Sequence, residues 1–387
     1  MYHLDDRQRS WYEQMITRGE QLSRDVTADD NAGRFPRKKW ETVAASGLFA
    51  LPFTPDRRKS DQAIPLVVAA MEGLGYASDD SGLCFSAATQ LASSAVALAR
   101  FGSPELRQRY ETAIGTGAMI GAHAITEPGA GSDVGAMSTV AVQDGAHFLL
   151  TGRKAFISNG PIANLVIVYA KTDVDGGSPG LSAFVVERDT PGVMPGPALD
   201  TMGLRTSPLG TLELADARVS EDRVVGQLGA GAWLLSHVMT REILFINAFQ
   251  VGLMQWRLER CVEQARQRQQ FGAPIGAFQA VAHTLVDMRI AVETARRWVY
   301  DTTARLVAGE DVTAETAMTK VVVSEANVAT ARSAIQVFGG QGFLTETGIE
   351  RGLRDAIAGT IYSGTSEIQR NKIAAEMRLG EHRRGAW

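Results

Sequence analysis

Between about residues 118 and 226 the spacing of apolar side chains shortens from the three-to-four of a helix to the two of a strand, and on either side it does not. The runs HFLLTG, LVIVYAK, SAFVVER and GTLELADARV are rich in β-branched and aromatic residues and are bounded by Gly, Pro, Asp and Asn, so they read as strands. Before them, from about residue 4 to 116, the period is helical, with a proline-marked break at GRFPRKKW and a long apolar segment over 64–100. After GQLGAGA the chain returns to long helices, expected over roughly 233–270, 278–308, 313–339 and from 366 onward. This order predicts an α+β multidomain fold. Its units are an N-terminal helical domain over 1–116, a central small β-barrel or sandwich domain over 117–226, and a C-terminal four-helix bundle over 227–387.

Charge and cysteine usage narrow the function. The net charge is -4 and no dense Lys/Arg run occurs, which argues against nucleic acid or an anionic membrane surface as the main partner. RKK at 37–39 and RRK at 57–59 are short and read as solvated surface. Cys84 and Cys261 stand far apart, without a C-x-x-C or a local histidine cluster, so neither a disulfide framework nor a metal site is expected. A reducing cytoplasm suits such a chain, and MYHLDDRQRSWYEQ is too charged for a signal peptide. The apolar stretch 233–254 is interrupted by His237, Arg241 and Glu242 and reads as a buried helix rather than a membrane span.

Five short motifs carry the chemistry. AITEPGAGSD (124–133) is a Gly-Ala-Gly turn whose free N–H groups and hydroxyls suit an anionic or amide-rich ligand. TGRKAFISNG (151–160) alone is an ordinary hairpin strand, with Phe156 as core. RQRQQFG (266–272) alone is a helix C-terminus with Gly272 as terminator. QVFGGQGF (336–343) is a helix end with a Gly-rich turn, and IYSGTSEIQR (361–370) lies near the end of the chain. Taken together, in this order and on this layout, the motifs resemble the acyl-CoA dehydrogenase family over essentially the whole chain, from GRFPRKKWETVAASGLFALP to GTSEIQRNKIAAE.

The resemblance implies FAD clasped between the β domain and the bundle, in a homo-oligomer that is a dimer or a dimer of dimers. It places Ile125 and Thr126 at the flavin pyrimidine edge, Ser132 near the pyrophosphate, Phe156 against the ring and Ser158 at flavin N5. Arg268, Phe271, Gln279 and the turn from Gln336 to Gly340 match residues that reach the adenosine and pyrophosphate of FAD in a neighbouring subunit, and Thr365 and Glu367 match the last FAD contacts. The implied substrate is an acyl thioester, on CoA or on an acyl or peptidyl carrier protein. A carboxylate removes the α-proton as the β-hydrogen leaves as hydride, and electrons then pass to an electron-transfer flavoprotein or to oxygen.

Most of the family carries that carboxylate just before Gly-Thr-Ser, where this chain has Ser363. A serine hydroxyl is too weakly acidic to act as the base. The alternative is Glu242, on a helical stripe with Leu235, Val238, Met239, Phe245, Ile246 and Phe249. A carboxylate buried among apolar neighbours is either a group held ready to accept a proton or an ion-pair partner, here of Arg241 or His237. Periodicity leaves both open. By resemblance, isovaleryl-type and long-chain-type members place their base on this helix, and counting back from GLMQ puts Glu242 on their glutamate.

Two departures stand out. Relatives usually follow that glutamate with arginine, whereas this chain has Ile243, with Arg241 in front. LPFTPDRRKSDQAIPL lacks the family's Tyr-Gly-Gly loop, which helps shape the acyl pocket, so the resemblance implies an unusual substrate; a similarly shifted base occurs in members that oxidise acyl or aminoacyl groups tethered to carrier proteins. His123, beside the flavin motif, reads as a hydrogen-bonded structural histidine, and GEHRRGAW as a solvated tail. The scaffold also leaves open a flavin oxidase or monooxygenase on a non-thioester molecule, and a non-catalytic flavin-binding protein.

Overall fold

The computed structural model describes residues 3–174, 176 and 180–379, so GEHRRGAW lies outside the described residues. Six helices matter below: α1 (Ile64–Ser78), α2 (Ser81–Thr89), α3 (Gly231–Gln267), α4 (Gln279–Val307), α5 (Thr313–Phe338) and α6 (Ser366–Glu376). Asp80 caps α2 by accepting from the Leu83 N–H at 3.0 Å, satisfying a donor that the helix leaves free. α2 then runs without a break through a π-helical turn, Gln90–Val96, into Ala97–Phe101. The span Ser81–Phe101 is long and apolar enough to cross a membrane, but its apolar stretch is buried inside the protein as a core helix.

α1 crosses α3 at unusually close range. A Cβ on Gly75 would meet the Phe249 carbonyl, and one on Gly252 would meet the Glu72 carbonyl, so both positions need glycine. Glu72 is itself buried. It accepts from Arg296 Nε at 2.8 Å and from the Tyr300 hydroxyl at 2.7 Å, which ties α1 to α4 through satisfied polar groups.

The central domain is one seven-stranded sheet in the order β1-β4-β2-β3-β7-β6, with β5 also paired to β4. Its strands are β1 (Gly121–Ala124), β2 (Val140–Asp144), β3 (His147–Ser158), β4 (Leu165–Lys171), β5 (Leu181–Glu187), β6 (Val193–Pro195) and β7 (Leu209–Ser220). Side chains alternate between its faces. Val166 and Val168 of β4 join Ala122, Phe148, Leu150, Phe184 and Leu214 in a core the sheet encloses. Leu165, Ile167 and Tyr169 point the other way, into the large core shared with the helices. β4 is buried on both faces, which is why LVIVYAK is continuously apolar.

Gln90, in the π-helical turn, fixes where β1 begins. Its amide oxygen accepts from the Gly121 N–H at 2.7 Å, while its nitrogen donates to Ile114 O and Met119 O. His123 pairs in register with Ile167 and so shares the sheet face that looks toward the helices. α3 begins against β5, with Gly231 packed on the Leu181 and Ser182 backbone, and carries Glu242 beneath that face.

Candidate active site

Glu242 lies on α3 with 5% of its surface exposed. The stripe around it is as expected: Leu235, Val238, Phe245, Ile246 and Phe249 are buried, and Met239 packs against them. Its Oε1 accepts from the Ser363 hydroxyl at 2.7 Å. Its Oε2 is 3.2 Å from His123 Nε2, within ion-pair distance but off the line of a hydrogen bond, so Oε2 has no aligned donor. The Tyr169 and Tyr362 phenols are both pushed far up, by burial first and also by the charge of Glu242, so both stay neutral.

Arg241 belongs elsewhere. It donates to Asp61 at 3.1 and 2.6 Å and to the His237 carbonyl at 3.2 Å. Burial would raise the Asp61 carboxyl, but the Arg241 guanidinium overrides it and holds the carboxyl below its usual value. His237 faces the same pair, and burial followed by the Arg241 charge pushes its ring down to about 3. Neither Arg241 nor His237 therefore partners Glu242, and Ile243 is buried as an apolar side chain.

Ser363 sits in the left-handed region at φ 53, an uncommon conformation for a residue with a Cβ. Its loop is pinned on both sides. Gln369 Nε2 donates to Ser363 O at 2.9 Å, Gln250 Nε2 donates to the Tyr362 hydroxyl at 2.7 Å, and Phe85 stacks on Tyr362 at 4.5 Å. Ser363 thus orients the carboxylate on α3. Ser363→Ala removes one charge-assisted hydrogen bond, and we expect flavin reduction to slow about tenfold, well short of the loss on removing Glu242 itself. Stopped-flow reduction checks this; a loss as large as that of Glu242→Gln would contradict it.

Ile125 and Thr126 follow β1 directly and are brought against β3: Lys154 Nζ donates to Ile125 O at 3.1 Å and Ala155 N to Thr126 O at 2.9 Å. Phe156 is not core. The β3–β7 register breaks between Lys154 and Ile157, and in that bulge Phe156 takes φ 54 and is 63% exposed. Positive φ on an aromatic residue is strained, and such strain gathers at ligand sites. Ser158 ends β3, half-buried. Ser132 is exposed in the Gly-rich turn, where a Cβ on Gly129 would meet nothing. Thr365 caps α6, accepting from the Ile368 N–H at 3.2 Å, and Glu367 is exposed in its first turn, its carboxyl lowered by the backbone and Thr365 hydrogen bonds there.

The turn hangs on a residue with no assigned role in the sequence analysis. Glu127 is 4% exposed and accepts from Ser138 N and Oγ, Thr139 N and Oγ, and Lys154 Nζ. Burial raises its carboxyl, but these five donors win and hold it at about 2. Lys154 is buried as well, and desolvation lowers its ammonium to about 8 against the pull of Glu127. An acid three residues after an alternating strand, with a lysine on the next hairpin, is the only signal that could have found the pair.

Arg268, Phe271, Gln279, Gln336 and Gly340 form a separate, exposed group on the bundle. Arg268 caps α3 in extended conformation, so Gly272 is not the helix terminator. At φ 77 it closes a two-stranded hairpin of Gln269–Gln270 and Ala273–Pro274, whose tip leaves Phe271 94% exposed. Gln279 opens α4, Gln336 is in the last turn of α5, and Gly340 follows Gly339, where an added Cβ would meet nothing.

These residues fit a flavin dinucleotide. A projecting aromatic, hydroxyls of Thr126 and Ser158 free of described protein partners, and open glycine turns are surfaces that expect a ligand. Family models agree with the architecture. The acyl-CoA dehydrogenase N-terminal domain matches residues 17–118, the middle domain 122–217 and the C-terminal domain 229–378. The chain belongs to the acyl-CoA dehydrogenase family, FAD-carrying oxidoreductases that act on the CH–CH bond of acyl thioesters.

Among its relatives, an L-prolyl-[peptidyl-carrier protein] dehydrogenase of Serratia sp. is 36% identical over 340 residues, covering 88% of each chain. Among solved structures, the prolyl acyl carrier protein oxidase AnaB is 35% identical, with a TM-score of 0.93 and 97% of this chain and 100% of that chain covered. PigA, solved with FAD and proline, is 33% identical with a TM-score of 0.92, covering 98% and 99%.

Proposed function

We propose that this protein is an FAD-dependent dehydrogenase that introduces an α,β double bond into a carrier-bound aminoacyl thioester of the prolyl class, with Glu242 as the base. The observation that carries this reading is the buried Glu242 carboxylate, aimed by Ser363 and without a neutralising arginine. Relatives that act on prolyl carrier proteins favour that substrate class over CoA esters. FAD, when bound, supplies the hydride acceptor. The chain's own part is to take the α-proton at Glu242 Oε2, the oxygen not held by Ser363, while Ser363 keeps Oε1 in place. Ile125, Thr126, Ser132, Phe156, Ser158, Thr365 and Glu367 hold the flavin end of the cofactor.

This reading includes a homo-oligomer. Arg268 lies 26 residues beyond Glu242 on one continuous helix, about 39 Å away along its axis. By the family resemblance, Arg268, Phe271 and Gln279, with Gln336 and Gly340, serve FAD in a neighbouring copy, in a dimer or dimer of dimers. The chain divides near residues 116 and 226. Buried free Cys84 and Cys261 suit a cytoplasmic protein.

The test is anaerobic titration of the yellow holoprotein with prolyl carrier protein, prolyl-pantetheine, butyryl-CoA and free proline. We expect the carrier-linked prolyl group to bleach the flavin most rapidly. Bleaching by butyryl-CoA alone would move the substrate to CoA esters. Bleaching by none of the thioesters would end the dehydrogenase reading. Admitting air, or an electron-transfer flavoprotein, to the bleached protein identifies the acceptor.

A further inference from the structure

His123 is the one ionisable group among the described residues within ion-pair distance of Glu242, and it does not behave as a structural histidine. A ring kept for architecture has partners for its nitrogens. Here Nδ1 is buried with no hydrogen-bond partner, and Nε2 faces Glu242 Oε2 at 3.2 Å. The surroundings leave no substitute. From α3, Arg241 and His237 turn to Asp61; from β4, Tyr169 approaches; from the loop before α6 come Tyr362 and Ser363; and Lys154 of β3 is held by Glu127 and Ile125 O. From the π-helical turn come Gln90, Ser93 and Ser94, none of which titrates. Of these, only the imidazole can take up a proton from the Glu242 carboxyl.

We propose that His123 acts through Glu242: a ring carrying its proton on Nδ1 turns the Nε2 lone pair toward Oε2 and relieves the carboxyl of the proton it has taken. This rests on the assignment of Glu242 as base. In the first step the α-C–H bond breaks, its electron pair stays with the substrate and an Oε2–H bond forms. In the second that O–H bond breaks and an Nε2–H bond forms, leaving imidazolium beside the restored carboxylate. The side chain of His123 is 12% exposed against 6% for Glu242, so the proton moves toward the more accessible group.

The holoprotein and its His123→Leu, His123→Gln and Glu242→Gln variants are compared over pH 6–9 by anaerobic stopped flow and by steady-state turnover, with prolyl carrier protein and butyryl-CoA as probes. Flavin absorbance and thermal melting report folding. Leucine cannot accept a proton, and we expect steady-state turnover to fall at least tenfold while first-turnover bleaching stays within threefold of wild type. Glutamine keeps an N–H near Nε2 but cannot accept a proton. First-turnover bleaching should again stay within threefold of wild type, while turnover is at least tenfold low. A leucine variant within threefold of wild type in both phases would overturn the proposal, as would glutamine restoring full turnover. If the leucine variant does not hold FAD, the glutamine variant decides alone. Wild-type bleaching by Glu242→Gln would instead remove the base assignment beneath it.

Discussion

Glu242→Gln leaves FAD bound and slows flavin reduction by about a hundredfold to ten-thousandfold, the range a lost general base costs. The amide keeps the shape of the side chain and can still accept from the Ser363 hydroxyl, so packing around α3 is retained. What it loses is the lone pair at Oε2 that a carbon-bound proton needs. Among the described residues no other carboxylate stands in for it: Asp61 is held by Arg241, Glu127 by five donors, and Glu367 is exposed in the first turn of α6. Stopped-flow reduction by the preferred thioester measures the effect, and a rate within tenfold of wild type would contradict the assignment.

Glu127→Ala destabilises the protein by about 3–5 kcal/mol, because it strands a buried Lys154 and leaves the Ser138 and Thr139 donors unmet. The same contacts hold the turn that carries Thr126 and Ser132, so FAD retention falls with stability. The pH dependence follows from the sign of the shift. The carboxyl is lower in the folded chain, about 2 against an ordinary 4.5, so its contribution is fully present above pH 4.5 and is lost as pH falls through about 2. Urea unfolding at neutral pH tests the first effect; a change below about 0.5 kcal/mol, the scale of an ordinary surface substitution, would contradict it.

Much of the frame was legible because it rests on local periodicity. The bundle helices expected over 233–270, 278–308 and 313–339 are Gly231–Gln267, Gln279–Val307 and Thr313–Phe338, differing by one to three residues where caps rather than apolar spacing set the ends. The strand runs also emerged, since LVIVYAK and SAFVVER are buried on both faces. What stayed hidden was set by contacts between distant residues. Arg241 finds Asp61 across 180 positions, and nothing near either predicts it. His123 meets Glu242 only because β1 registers against β4 above α3. Phe156 is thrown outward by a bulge that a two-residue period cannot announce, so pattern alone made it core. The π-helical turn carries no apolar signature that separates it from the helix it interrupts.

The most direct test of the account is a crystal structure of the FAD-bound enzyme with an unreactive thioester analogue of its preferred substrate. The account predicts Glu242 Oε2 about 3–3.5 Å from the α-carbon, on the side of the acyl group facing α3, with Ser363 still donating to Oε1. A carboxylate turned away from the ligand, or an acyl chain bound where Glu242 cannot reach it, would contradict it.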